Sequence, residues 1–220
     1  MPKRSKSSAQ WLRQHFDDVW VKKAQAMGYR SRASFKLLEI HQKEKLIKQG
    51  MRVLDLGAAP GGWSQVVVPL VGRRGQVIAT DILPMAVLPG VTFIQGDFSD
   101  EKVVQQIQSV MGSDAKGMDL VLSDMAPNMS GIPSSDLPRA MALAELALEL
   151  AVNCLAPQGS FLVKVFQGEG FTEFRQQVLK HFQRIKSHKP TSSRPQSREI
   201  YLLAQGLRTA VNASIPPRGL

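Results

Sequence analysis

Residues 53–65 read VLDLGAAPGGWSQ, which joins an apolar strand ending in an acid to a glycine-rich turn and the start of a helix. The turn spaces Asp55, Gly57 and Gly61 as D-x-G-x-x-x-G. At the carboxyl end of a first parallel strand, it occupies the position where open α/β sheets bind their ligands. Its small residues let a flat nucleoside approach the backbone, which a Cβ atom would obstruct. This stretch therefore predicts a nucleoside-binding site in a doubly wound α/β domain.

The kind of nucleoside is indicated by two acids and by the glycine spacing. Asp81 ends the next strand, VIATD, where an acid usually accepts hydrogen bonds from a ribose diol. A dinucleotide site instead requires G-x-G-x-x-G and holds a pyrophosphate at the helix N-terminus. Gly57 and Gly61 do not fit that spacing, and the charge of Asp55 would oppose a phosphate. The pattern favours a cationic nucleoside such as S-adenosylmethionine; an ordinary strand–turn–helix without a ligand is the alternative.

Segments with strand and helix periods alternate along the chain, as expected for a doubly wound fold. We expect a single α/β domain over residues 9–206, with helices on both faces of a mostly parallel, seven-stranded sheet. A basic flexible tail is expected at 1–8 and a second tail at 207–220. The predicted strands are 51–56, 75–80, 91–95, 118–123, 159–166, 184–189 and 199–205. The predicted helices are 9–26, 32–48 (with Ser31 as a candidate N-cap), 62–70, 100–111, 137–155 and 171–183.

Composition indicates the cellular setting. The single cysteine, Cys154, excludes an internal disulfide and a multi-cysteine metal site, and its apolar surroundings are typical of a core. The sequence has no apolar run long enough to span a bilayer. A secretory signal is not expected, because MPKRSKSSAQ at the N-terminus has no hydrophobic segment after its charges. We therefore expect a cytoplasmic monomer that binds neither a membrane nor a metal.

Positive charge is concentrated at both ends of the chain. Residues 1–50 carry 12 Lys or Arg against 4 Asp or Glu, and residues 181–220 carry 7 against 1. Residues 51–180 carry 9 against 13, so the middle is mildly acidic. Such a layout fits a polyanion held by the chain ends while a small ligand lies in the sheet. A basic, solvated surface without a partner is the alternative.

Four polar residues occupy positions where a charge is costly or unexpected. Lys164 interrupts the apolar strand FLVKVF, and burying its ammonium unpaired would be expensive. Asp124 ends MDLVLSD at the sheet edge that also carries the glycine turn, and Glu199 opens EIYLLA. Lys36 lies on the helix before the first strand. Each has a simpler interpretation. Lys164 could be a charge that protects an edge strand from unwanted pairing, Glu199 could be a solvated strand end, and Lys36 could be a surface lysine. Together they indicate a polar site.

With these residues in place, the chain resembles the bacterial FtsJ-type, or RrmJ-type, ribosomal RNA 2′-O-methyltransferases. The resemblance runs from about residue 9 to residue 206 and rests on LRQHF, RSRASFKLLEI, VLDLGAAPGGWSQ, QGDF, SDMAPNMSG, GSFLVKVFQGEG and SRPQSREIYLLA. It implies a Rossmann-like methyltransferase fold and a catalytic Lys–Asp–Lys–Glu tetrad made of Lys36, Asp124, Lys164 and Glu199. It also implies a cofactor site lined by Gly61, Trp63, Asp81, Asp97 and Asp124.

Residue types also bear on the methyl acceptor. Methylation at pyrimidine C5 usually needs a cysteine nucleophile, and Cys154 is poorly placed for it. Amino-directed methyltransferases carry an N/D-P-P-aromatic turn, whereas this chain reads SDMAPN. A lysine beside acids suits a ribose 2′-hydroxyl, which loses its proton as it attacks a sulfonium methyl. Burial and Lys36 favour a neutral, basic Lys164, while nearby acids favour its ammonium form. Whether Lys164 removes the proton or positions the hydroxyl stays open at this point.

The expected activity is S-adenosylmethionine-dependent methylation of an RNA ribose 2′-hydroxyl. The resemblance implies a uridine of 23S ribosomal RNA, in the A-loop of the large subunit. Four arginines bracket the tetrad in sequence, and we expect them to bind RNA: Arg30, Arg32, Arg194 and Arg198. Alternatives are a related tRNA or cap ribose methyltransferase, a catalytically silent RNA-binding assembly factor and a nicotinamide dehydrogenase. The intact tetrad disfavours the silent factor, and the glycine spacing disfavours the dehydrogenase.

Overall fold

The computed structural model describes residues 18–112, 117–194 and 196–208. Its strands are β1 (Arg52–Leu56), β2 (Gln76–Asp81), β3 (Thr92–Gln95), β4 (Met118–Ser123), β5 (Leu155–Phe166), β6 (Phe182–His188) and β7 (Glu199–Leu207). Its helices are α1 (Val19–Ala26), α2 (Ala33–Glu44), α3 (Gly62–Val71), α4 (Glu101–Met111), α5 (Pro133–Cys154) and α6 (Phe171–His181). From β1 onward, strands alternate with helices except that β3 directly follows β2 and β7 directly follows β6, in agreement with the predicted element order.

The strands form a seven-stranded sheet with the order β3-β2-β1-β4-β5-β7-β6. The pairs β1–β2, β1–β4, β2–β3 and β4–β5 are parallel. Strand β7 is antiparallel to both of its neighbours, β5 and β6. The prediction of a mostly parallel, seven-stranded sheet is confirmed. Because the strand order reverses between β1 and β4, the carboxyl ends of these two strands flank the crevice where such sheets bind ligands.

The core lies on both faces of the sheet. On one face, Leu120 and Leu122 of β4 pack with Leu37 of α2 and Val67 of α3. On the other face, the intervening Val121 packs with residues of α4, α5 and α6. Central strands that are buried on both faces read as continuous apolar runs, which is why VLDL and LVLS lack a polar alternation. The two layers hold the carboxyl edge of the sheet rigidly in place.

Several predicted boundaries are wrong by a few residues. The helix predicted at 32–48 ends at Glu44, because Lys45 adopts a left-handed conformation with φ 50°. It begins at Ala33, so the N-cap position falls on Arg32 rather than on Ser31, although Ser31 Oγ still accepts the N–H of Ala33 at 2.9 Å. Helix α5 begins at Pro133 rather than 137, which suits a proline in the first turn. Strand β5 begins at Leu155 rather than at 159.

Some predictions fall outside the described residues. The tail at 1–8 and the first part of the helix predicted at 9–26 lie there, as do residues 209–220 of the predicted C-terminal tail. Leu207, which was assigned to that tail, belongs to β7. Within the described ranges, none of the helices combines the length and apolarity that crossing a bilayer requires.

Candidate active site

A cavity of about 490 Å³ opens at the carboxyl ends of β1, β2 and β4. Three carboxylates line it, those of Asp81, Asp97 and Asp124. Apolar side chains complete the wall, among them Phe98 and Leu143. A deep apolar cavity with a few convergent acids suits a nucleoside that carries a positive charge.

The glycine turn forms one wall of this cavity. Gly57 has φ 69°, and a Cβ atom built there would lie 2.2 Å from Cγ of Met125, which also lines the cavity. The N–H groups of Gly57 and Ala58 donate to the oxygen of Thr80 at 2.9 and 3.1 Å, which ties the turn to β2. Gly61 faces elsewhere, because a Cβ atom there would meet Met85 and Arg30 instead.

Asp81 organises the turn as well as facing the cavity. Its Oδ2 accepts the N–H of Ala59 at 2.9 Å, and its Oδ1 accepts the N–H of Leu83 at 2.8 Å. One carboxylate therefore joins the glycine turn to the loop that follows β2. Asp97 is exposed at the cavity, and its Oδ1 accepts the N–H of Ser99 at 2.9 Å.

Asp55 and Trp63 line a smaller cavity of about 90 Å³ beneath the turn, with Asp124 on its wall as well. Asp55 is buried, and the hydroxyl of Ser64 donates to its Oδ2 at 2.6 Å. Burial raises the pKa of Asp55 to about 7 despite this hydrogen bond, and the charge of Asp124 adds to the rise. The indole N–H of Trp63 donates to the oxygen of Ala33 at 2.8 Å, which fixes the ring beneath α2.

The four predicted tetrad residues meet beside the large cavity. Lys164 of β5 places Nζ 3.0 Å from Oδ1 of Asp124, which follows β4. Lys36 of α2 places Nζ 2.8 Å from Oε1 of Glu199, at the start of β7, and 3.9 Å from Oδ1 of Asp124. All four side chains are largely buried. Two ammonium groups and two carboxylates thus form a continuous network.

The network keeps its acids ionised. Burial alone would raise the pKa of Asp124, but Lys164 and Lys36 hold it below its ordinary value, helped by a hydrogen bond from Tyr201. Burial acts in the same direction on Glu199, and Lys36 again outweighs it, so the pKa of Glu199 is also lowered. The paired charges satisfy one another, which is how a cluster of charges tolerates burial.

Tyr201 is a member of the site that sequence reasoning missed. Its hydroxyl donates to Oδ1 of Asp124 at 2.6 Å, and its ring lies 5.5 Å from Nζ of Lys36. It also pairs directly with Lys164 across the antiparallel β5–β7 ladder. A signal was available, because strand alternation places Tyr201 on the same face as Glu199, two residues earlier.

A second open cavity, of about 380 Å³, lies on the other side of the tetrad. Lys36, Lys164 and Glu199 line it, whereas Asp124 lines the large cavity. Ala126 lines both, so the two cavities adjoin at the loop that follows β4. The tetrad therefore stands between a nucleoside-sized cavity and a space that is open to a second substrate.

Two of the four predicted RNA-binding arginines converge at this second cavity. Arg32 and Arg194 both line it, and both contact the carboxylate of Asp18, Arg194 through Nε at 3.6 Å. No feature of the sequence pointed to Asp18. Arg198 is exposed. Arg30 lies beyond the glycine turn, where its guanidinium donates to the oxygens of Pro60, Ala86 and Val87 at 3.2, 2.7 and 2.7 Å.

Comparisons with known proteins agree with this geometry. A family model described as FtsJ-like methyltransferase matches residues 29–207. The chain is 58% identical over 205 residues to ribosomal RNA large subunit methyltransferase E of Alcanivorax borkumensis, covering 93% of this chain and 98% of that protein. It is 57% identical over 205 residues to the protein of the same name from Pseudomonas fluorescens, covering 93% and 97%.

A solved structure is also similar. It is the crystal structure of a Plasmodium falciparum protein assigned as a ribosomal RNA methyltransferase. The two share 27% identity with a TM-score of 0.74, over 81% of this chain and 98% of that one.

Proposed function

Because the chain belongs to the FtsJ-like methyltransferase family, we propose that it methylates the ribose 2′-hydroxyl of a uridine in the A-loop of 23S ribosomal RNA, with S-adenosylmethionine as methyl donor. The observation that carries this proposal is the position of the tetrad. Lys164 and Asp124 touch each other at 3.0 Å, yet one lines the open cavity and the other the nucleoside-sized cavity. A donor in one cavity and a ribose in the other would meet at this pair.

The large cavity fits S-adenosylmethionine in size and charge. Its acids suit a cationic ligand, and Asp81 stands at the end of β2, where a carboxylate accepts hydrogen bonds from a ribose diol. Because Gly57 has no Cβ atom, Met125 can pack against the turn and form part of the cavity wall. When bound, S-adenosylmethionine supplies an electrophilic methyl group on a sulfonium sulfur. Asp97 at the same cavity can accept hydrogen bonds from the adenine end.

Lys164 has the geometry to handle the acceptor hydroxyl. Its Nζ donates to both Oδ1 and the backbone oxygen of Asp124, at 3.0 and 2.6 Å. An amine nitrogen has four tetrahedral positions, one of which is taken by its own carbon. With two positions donating to Asp124, the last is free for the substrate in the open cavity. It is a third N–H when Lys164 is charged, and a lone pair that can take the 2′-hydroxyl proton when it is neutral.

The other members of the network orient this group. Glu199 holds Lys36 at 2.8 Å, and Tyr201 and Lys36 both approach Oδ1 of Asp124. Asp124 is therefore held by two groups besides Lys164 and can keep Lys164 in one orientation. Fixed orientation of a reacting group is a large part of what an enzyme contributes to a displacement reaction. In that displacement, the 2′-oxygen would form a bond to the methyl carbon as the carbon–sulfur bond breaks.

The choice of RNA is supported by the relatives, whose names describe methyltransferases of large subunit ribosomal RNA. The basic cavity rim of Arg32 and Arg194 suits a phosphate backbone. A uridine in the A-loop is the finer part of the proposal and rests on the resemblance of motifs such as SDMAPNMSG and VKVFQGEG. A tRNA or cap ribose methyltransferase remains the alternative within the enzyme class.

One experiment tests the whole proposal. 2′-O-methylation would be mapped across total RNA from cells with the gene, without it, and with only the Lys164→Ala variant. We expect a single ribose methylation in the large subunit RNA to disappear in the second and third strains. Loss of a mark in tRNA or at a cap would support the alternative enzyme. No lost mark would point to a silent assembly factor and contradict the proposal.

A further inference from the structure

Another cavity, of about 440 Å³, lies at the edge of the sheet opposite the tetrad. It is bounded by the end of α2 and by the first residues of β4 and β6, together with the turn that interrupts β5. Three cations line it, Lys45, Lys48 and Arg184, and all three are exposed. The proposed methyl transfer uses none of them.

These cations are available for a partner. Within the described part of the chain, the side chains of Lys45, Lys48 and Arg184 form no hydrogen bond or ion pair. The two acids at the cavity are already engaged. Glu44 accepts from Nζ of Lys186 at 2.6 Å, and Asp119 accepts the N–H of Arg52 at 2.8 Å. The cavity therefore presents unsatisfied positive charge, which suits an anionic ligand.

The backbone at this cavity is also unusual. Among the described residues, the left-handed conformation outside glycine occurs at Lys45, with φ 50°, and at Gln158, with φ 66°. Both residues line this cavity. Gln158 is held there by Nε2 of Gln183, which donates to its Oε1 at 3.1 Å. Non-glycine residues in sparsely populated conformations are found preferentially at functional sites.

Rigid elements connect this cavity to the tetrad. Helix α2 carries Lys36 in the tetrad and ends at the cavity next to Lys45, about 14 Å further along at ~1.5 Å per residue. Strand β7 carries Glu199 in the tetrad and Gln205 at the cavity, about 20 Å apart at ~3.4 Å per residue. Between the tetrad and the cavity, the carboxylate of Glu39 on α2 accepts the N–H groups of Thr191 and Ser192 at 2.7 and 3.0 Å, which ties α2 to the segment that joins β6 and β7.

We propose that this basic cavity, lined by Lys45, Lys48 and Arg184, binds the phosphate backbone of the RNA substrate away from the modified ribose. The inference rests on the proposed function, since an RNA substrate supplies the polyanion. Along a duplex axis, a separation of about 14–20 Å corresponds to about four to six base-pair steps at ~3.4 Å each. A structured RNA can therefore contact the tetrad and this cavity together, whereas a very short one cannot.

The test compares two triple variants that each lose three positive charges. The first is Lys45→Ala, Lys48→Ala, Arg184→Ala; the matched control is Lys102→Ala, Arg175→Ala, Lys180→Ala, three exposed cations of α4 and α6. RNA affinity would be measured against salt concentration with a large subunit RNA hairpin that contains the methylated nucleotide. It would be measured again with an RNA of about two nucleotides, whose single internal phosphate cannot lie at the tetrad and at the cavity at the same time.

For the hairpin, we measure the slope of log affinity against log salt concentration. We expect this slope to become less negative by about 2 in the first variant, since each lost single-strand contact removes about 0.7. The control should match the wild type, and the short RNA should bind all three proteins equally. Single-turnover methylation at saturating RNA should be unchanged. Equal salt dependence for the first variant and the control would overturn the inference while wild-type methylation still upheld the proposed function. If the wild type methylated no RNA, the proposed function itself would fail.

Discussion

Nζ of Lys164 lies 3.0 Å from Oδ1 of Asp124 and 2.6 Å from the backbone oxygen of the same residue. Asp124 directly follows β4 and Lys164 lies near the end of the neighbouring parallel strand β5, with Ser123 of β4 paired to Val163 of β5. The contact is therefore set by the strand register and does not depend on a flexible loop. Replacing Lys164 should remove the amine while leaving the two strands in place.

Lys164→Ala should lose roughly 10²–10⁴-fold in methyl-transfer rate, the range for a positioned acid–base group. Lys164→Arg should be nearly as inactive if the amine must accept a proton, because a guanidinium stays charged near neutral pH. The measurement is single-turnover transfer at saturating cofactor and RNA, with exposed Lys180→Ala as control. Glu199→Ala and Tyr201→Phe should cost less, since both only orient Asp124 and Lys36.

The outcomes separate the two roles of Lys164. A near-normal rate for Lys164→Arg would exclude proton removal and leave a positioning role for a positive charge. A near-normal rate for Lys164→Ala would remove the residue from the mechanism.

Asp81→Asn should weaken S-adenosylmethionine binding by about 1.5–3 kcal/mol, because a charge-assisted acceptor becomes a neutral amide. Calorimetry measures this directly. Asp119→Asn is a matched control, since Asp119 also accepts a backbone N–H at 2.8 Å but does so at the opposite edge of the sheet. Tight nicotinamide dinucleotide binding without S-adenosylmethionine binding would contradict the cofactor proposal.

The double variant Arg32→Ala, Arg194→Ala should bind RNA with a weaker salt dependence. The slope of log affinity against log salt concentration should become less negative by about 1.4, or about 0.7 per lost contact. Cofactor affinity should stay unchanged. The control is Asp18→Asn, which removes the carboxylate that both arginines contact but leaves both cations. If Asp18→Asn weakened the salt dependence of RNA affinity equally, the effect would come from the lost ordering of the two arginine side chains and not from lost phosphate contacts.

Arg30→Ala should act on the cofactor rather than on RNA, although the sequence predicts an RNA contact. Its guanidinium joins the oxygen of Pro60, in the glycine turn, to those of Ala86 and Val87 in the loop after β2. Both segments border the large cavity. We expect roughly tenfold weaker S-adenosylmethionine binding, or ~1.4 kcal/mol, with an unchanged salt dependence of RNA affinity. Unchanged S-adenosylmethionine binding together with a weaker salt dependence of RNA affinity would instead support Arg30 as an RNA-binding residue.

Asp55→Asn should become more stabilising as pH rises. Burial raises the pKa of Asp55 from 3.8 to about 7, so in this window the folded protein keeps a proton that the unfolded chain releases. The wild-type free energy of unfolding therefore falls with pH, by at most ~1.4 kcal/mol per unit from this group. Asparagine cannot ionise, so the difference between variant and wild type should grow from pH 3.8 to about 7 and then level off.

Urea unfolding across this range measures the difference. Ser64→Ala removes the hydroxyl that donates to Asp55 at 2.6 Å and should raise the folded pKa further, which extends only the upper end of the window. A difference between Asp55→Asn and wild type that did not vary with pH would contradict the buried, protonated acid.

Local sequence was sufficient to predict where the strands lie along the chain and which residue types occupy the site. Apolar runs bounded by Asp55, Asp81 and Asp124 read as buried parallel strands, because each strand's burial is visible in its own residues. Lys164 stood out for the same reason, since one charge in FLVKVF is conspicuous without any neighbour. Helix ends were less predictable, because the left-handed conformation of Lys45 has no cue as clear as a glycine.

Only the tertiary structure decided how residues distant in sequence combine. Asp18 contacts both Arg32 and Arg194. Arg30, two residues from Arg32, donates instead to the backbone oxygen of Ala86 in the loop after β2. Tyr201 lies beside the tetrad residue Lys164 because β7 runs antiparallel to β5, and the pairing of these two strands is not specified by any local pattern. Periodicity reports which face of an element is buried, whereas side-chain partners depend on where whole elements meet in space.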